Sequence, residues 1–79
     1  METLEKINKK MNHFSEDPLV NIFKEDEFTY DITIHGELMD SYWKLGDIQK
    51  EIDELCYNKY TLKTIFGDRQ NARFIIKKN

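Results

Sequence analysis

Two histidines, one cysteine and fifteen carboxylates are the side chains in this 79-residue chain with the chemistry to move a proton, hold a metal or act as a nucleophile. Their spacing does not gather them. His13 and His35 lie far apart, and neither begins a metal-ligand or nucleophile pattern. Cys56 is alone, so it can form no disulfide within the chain and no cysteine cluster, and it reads as a core thiol in a reducing setting. Gly36, Gly46 and Gly67 stand singly, as turn residues do, and make no phosphate-cradling loop. A chain this short also leaves little room for the ~300 Å³ or more that ligand pockets usually occupy. The expectation is a non-enzymatic protein with no cofactor and no metal.

Charge is the stronger signal. Twelve of the fifteen acids fall between Glu16 and Glu54 against Lys24, Lys44 and Lys50, a local net charge of −9 inside a chain whose total is only −3. The last stretch is basic, with Lys59, Lys63, Arg69, Arg73, Lys77 and Lys78 against Asp68. Ten aromatic residues (five Phe, four Tyr, one Trp) separate the sequence from a disordered acidic tail. No apolar run approaches the ~20 residues that span a bilayer, and Met-Glu-Thr-Leu-Glu-Lys does not open like a signal peptide, so a cytoplasmic protein is expected.

The elements that must position these groups follow from periodicity. Leu4, Ile7, Met11 and Phe14 form one stripe on a helix over about 3–14, with Thr3 as its cap. The stripe either covers the chain's own sheet, the favoured reading, or packs on a second copy as a homodimer. Pro18 after Asp17 suggests a short turn, 18–23, anchored by Leu19, Ile22 and Phe23. Phe28, Tyr30, Ile32 and Ile34 then alternate with polar residues as a half-buried strand.

Residues 37–45 fit two patterns, since Leu38, Tyr42, Leu45 and Ile48 also sit at helical spacing. A turn at Gly36-Glu37 would face Ile34 with Met39, Tyr30 with Trp43 and Phe28 with Leu45, sorting a hairpin over about 28–45 into an apolar and a polar face. A helix would have to hold Gly46 in its interior at a cost of ~1 kcal/mol, so the hairpin is favoured. A helix over about 47–57 follows, with Asp47 as cap and Asn58 as stop, and then a hairpin over about 60–77 whose loop is either three or five residues long. The order α, short turn, β, β, α, β, β predicts one α+β domain: a four-stranded antiparallel sheet of two hairpins, with an N-terminal and a central helix.

Three readings of the acidic stretch follow: a solvated surface, neutralisation by the chain's own basic hairpin, or a face that docks a basic partner. In the third, Asp31, Asp40, Tyr42, Asp47, Glu51 and Glu54 carry the contact, with Leu38 and Tyr42 as apolar anchors among acids on the open hairpin face. The competing expectation is a nucleic-acid-binding module using Lys63, Arg69, Arg73 and Lys77, opposed by the net negative charge and an isoelectric point near 5.3. In size and charge, though in no motif, the chain is similar to small phage or mobile-element proteins that inhibit host machinery, anti-CRISPR proteins and nucleic-acid mimics among them. That resemblance implies an inhibitor of a larger basic protein, acting in the cytoplasm of a bacterial host.

Overall fold

Alternating apolar side chains on four strands build one continuous sheet face, and two amphipathic helices lie side by side across it. The computed structural model describes residues 2–79 in the order α1 (Thr3–Phe14), β1 (Val20–Asp26), β2 (Thr29–Ile34), α2 (Leu38–Cys56), β3 (Tyr60–Phe66) and β4 (Asn71–Lys78). The sheet is antiparallel throughout, with strand order β1-β2-β4-β3. This is the expected α+β architecture, two helices and four antiparallel strands in the order α-β-β-α-β-β. The core joins Ile7 and Met11 of α1 and Leu45, Ile48, Ile52 and Cys56 of α2 to Tyr30, Ile32 and Ile34 of β2 and Ala72, Phe74 and Ile76 of β4.

The stripe on α1 is used up by this core. Ile7 and Met11 are buried, and Leu4 and Phe14 pack against them, so the homodimer seam through Leu4, Ile7, Met11 and Phe14 is not an open surface. Thr3 is the buried first residue of α1, and Glu2 occupies the cap position without a side-chain bond.

The first hairpin is β1–β2 and not residues 28–45. Asp17 does turn the chain, its Oδ1 accepting from the Leu19 N–H at 2.9 Å, but a strand follows where a helical turn was expected. Val20 and Ile22 point inward, facing Ile34 and Ile32, while Leu19 and Phe23 are exposed. Lys24 continues the alternation by lying over the Tyr30 ring, 5.9 Å from its centroid, and donating to Asn8 Oδ1. The acids that follow hid this strand: Glu25 and Asp26 are part of its end, at a register shift.

Residues 38–45 are helical, and α2 runs without a break through Gly46. Ser41, Leu45, Ile48, Ile52 and Cys56 recur at spacings of three and four and are all buried. Burial of that stripe outweighs the ~1 kcal/mol that one glycine costs a helix. The pairing partners that residues 39–45 were to supply to β2 come instead from β1 on one side and β4 on the other. Asp47 is therefore mid-helix, and Glu37 takes the cap position. The second hairpin has the longer loop, with Leu62 facing Ile76 and Phe66 facing Ala72.

Candidate protein interface

The inward stripe of α2 fixes which of its residues face water. Positions 38, 39, 42, 43 and 46 fall on the other sides, so Leu38, Met39, Tyr42 and Trp43 are exposed around a helix turn that carries no side chain at Gly46. Tyr42 is 52% and Trp43 64% exposed, and their rings meet edge to face at 5.9 Å and 73°. Across from them stands the tip of the β3–β4 hairpin, where Phe66 is 49% exposed. Between helix and hairpin tip lies a groove of about 630 Å³, lined by Tyr42, Trp43, Gly46 and Gln49 from the helix and by Phe66, Gly67, Asp68 and Arg69 from the hairpin tip. That is larger than the length of the chain led one to expect, and it opens at the surface without hollowing the core.

Hydrogen bonds hold the hairpin wall in place. Asp68 Oδ1 accepts from the Gln70 and Asn71 N–H groups at 2.7 and 3.1 Å, and the Gly67 N–H donates to the Asn71 carbonyl at 3.0 Å. Gln70 Nε2 donates to the Gly36 carbonyl at 3.0 Å, tying the tip to the segment that leads into α2. Gly36 itself has φ +118°, a conformation that favours glycine, where the chain leaves β2 for the helix.

On the side of α2 turned toward α1 runs an acidic ridge, of which Asp47 lines a separate cavity with Lys10, Asp17, Lys44 and Glu51. Asp40, Asp47 and Glu54 recur every seven residues on α2 and are exposed. Of the other two acids expected on this surface, Glu51 is half-buried and pairs with Lys10 at 3.7 Å, and Asp31 is elsewhere. Lys44, the nearest lysine on the ridge side, is held by Asp17, and this bond lowers the Asp17 pKa below the ordinary carboxylate value.

Asp31 lies on the sheet face opposite the helices, directly across from Arg73, which donates to it through Nε at 2.8 Å. Arg73 also meets Glu25 at 3.4 Å, and these acids push its pKa upward, the Asp31 hydrogen bond contributing most. The four cations proposed for nucleic acid are thus divided. Arg73 is engaged by two acids, Arg69 lines the groove, and only Lys63 and Lys77 extend from the open sheet face. Tyr42 shares α2 with Asp40, Asp47 and Glu54 but projects from another side of the helix, and it is not on the strand that was to have placed it beside Asp31.

His13 is exposed and within 3.7 Å of Glu16, and His35 is exposed. Cys56 is buried as expected, and burial, with Asp53 nearby, raises its thiol pKa. Among the described residues, no group of three or more His, Cys, Asp or Glu is placed to hold a metal ion, and no helix is long and apolar enough to cross a membrane.

Trp43, Met39, Phe66 and Gly46 are the contributors that sequence reasoning missed, the first two because the hairpin reading turned them inward. The signal was present. A helix that buries Ser41, Leu45, Ile48 and Ile52 leaves positions 39, 43 and 46 outside. Compared with protein-family models, curated proteins and solved structures, the chain matches none of them.

Proposed function

We propose that this domain is a non-enzymatic binding protein that inhibits or regulates a larger, basic protein, in the manner of small phage or mobile-element inhibitors, and that it docks through the outer side of α2. One observation carries the reading: an exposed Tyr-Trp pair and Phe66 border a groove, and the helix that bears the pair exposes Asp40, Asp47 and Glu54 on another side. Tyrosine and tryptophan dominate binding energy at protein interfaces, because they remove much apolar surface from water while losing little side-chain freedom. Exposed acids on the same helix add selectivity for a basic partner and speed encounter. The nucleic-acid alternative is weakened by the engagement of Arg73 with Asp31 and Glu25.

The test is capture on an immobilised column at low salt, with salt elution and identification by mass. The reading expects one dominant basic protein, released as salt rises and no longer retained when Asp40, Asp47 and Glu54 are all changed to Lys. Salt-dependent binding to random oligonucleotides, abolished by Lys63→Glu with Lys77→Glu, would replace it with the nucleic-acid function.

A further inference from the structure

The sheet has two edges, β1 on one side and β3 on the other, and they differ in how they are protected. β1 carries the devices that keep an edge from pairing: a register shift between Lys24 and Asp26, an inward charge at Lys24, and acids at its end. β3 runs through seven residues in unbroken register with β4.

Half of the bonding groups along β3 point away from the sheet. The Asn79 N–H donates to the Lys59 carbonyl at 3.1 Å and the Gly67 N–H to the Asn71 carbonyl at 3.0 Å, so these two pairs bracket the β3–β4 ladder. In an antiparallel ladder, residues bonded to the neighbouring strand alternate with residues whose N–H and C=O point outward. Thr61, Lys63 and Ile65 therefore bond to β4. Leu62 and Thr64, with Tyr60 and Phe66 beyond them, turn their backbone groups to the free edge, where no backbone group among the described residues meets them. A row of alternating donors and acceptors on an extended chain is complemented by another extended chain.

Side chains decide which strand fits. On the open sheet face β3 exposes Thr61, Lys63 and Ile65, and Lys77 of β4 faces Thr61, diagonal to Lys63. Neither lysine is in an ion pair among the described residues, and the acids of that face, Asp31 and Glu25, are held by Arg73. On the other face Leu62 is half-buried and Phe66 exposed. A second copy of β3 is disfavoured, since it would set side by side two hairpins that each carry six cations against Asp68.

We infer that the free edge of β3 takes up an acidic, extended segment of another protein as a fifth, antiparallel strand. Its Asp or Glu side chains lie against Lys63 and Lys77, and its apolar ones against Leu62 and Phe66. The contact is made by β3 and not by the acids of α2, so it stands or falls apart from the function proposed above.

The probe is an end-capped peptide of about nine residues alternating Val and Glu, long enough to pair along all of β3. In the free protein the Leu62 and Thr64 amides are expected to exchange with water freely while those of Lys63 and Ile65 are protected. With peptide at about ten times its Kd, exchange at Leu62 and Thr64 should slow about tenfold, because the edge is open only while the peptide is off. Lys63→Glu should weaken this peptide about fivefold or more and make a Val/Lys peptide bind better than it does to the parent, a reversal that a misfolded variant would not give.

Absence of saturable binding overturns the inference, as does binding that leaves Leu62 and Thr64 exchange unchanged. A Val/Lys peptide that binds the parent as tightly as the Val/Glu peptide also overturns it. So does a free protein that sediments as a dimer with Leu62 and Thr64 already protected, which would give the edge to a second copy.

Discussion

Tyr57 ends α2 at φ 44° and ψ −134°, backbone space that a side chain with a Cβ enters only at a cost of order 1–2 kcal/mol. At 80% exposed it recovers little of that by burial. Tyr57→Gly is therefore expected to stabilise the fold by about 1 kcal/mol, read as a melting temperature about 4–8 °C higher. An unchanged or lower melting temperature would show that the ring contributes more than its exposure suggests. Asp17 gives the pH dependence. Its carboxyl pKa is lowered in the folded state, first by the Lys44 hydrogen bond, so its contribution is fully present above the ordinary carboxylate value and is lost as pH falls through the lowered one. Asp17→Asn should be less stable than the parent in neutral solution, with the gap closing in chemical denaturation as pH falls through the lowered carboxyl pKa. A gap of constant size would mean that the pair contributes through packing and not through charge.

At the scale of elements, α2 is where structure and expectation part. Over residues 38–45 the two periods overlap, because Leu38, Tyr42 and Leu45 suit a helix while alternate residues suit a strand. Gly46 tilts a local reading toward the hairpin. A helix of 19 residues with five buried positions tolerates it. Gly46→Ala is expected to raise the stability of the free protein by about 1 kcal/mol, since the added methyl meets nothing. A loss of stability in thermal melts would instead place a packing constraint at that turn. The other elements were more legible. The α1 stripe, the alternation of Tyr30, Ile32 and Ile34, and the inward Phe74 and Ile76 stand as periodicity predicts. β1 was hidden because its inward row ends in Lys24 and its outward row in Glu25, so a strand end resembled an acidic loop.

Across the whole molecule, folding redistributes the charge that the linear sequence keeps apart. Arg73 of the basic stretch is matched by Asp31 and Glu25, Lys44 by Asp17 and Lys10 by Glu51. Such exposed pairs stabilise a fold by only about 0–1 kcal/mol each, so the core carries stability. Domains of this size have about 4–12 kcal/mol in total. Phe74, fully buried at the centre of β4, is expected to cost about 3–5 kcal/mol when changed to Ala, a large share of that total. Denaturant titration would show it as a midpoint shifted far down at unchanged slope. A small shift would mean that the helices close over the space left behind.

What the sequence determined by itself was local: the class of fold, most apolar faces and the concentration of acid between Glu16 and Glu54, all set by residue type and spacing along a few turns or strands. The tertiary structure decided which strands pair. β2 takes β1 and the distant β4 as neighbours, Ile32 facing Ile22 on one side and Ala72 on the other. With both edges of β2 filled, residues 38–45 were left to the helix, and Trp43 and Tyr42 turned outward to the groove. Pairing between strands far apart in the chain depends on the packing of the whole core and leaves no period in the sequence, which is why the fold had to decide between the two periods of residues 38–45 and set the hairpin tip across from Trp43 and Tyr42.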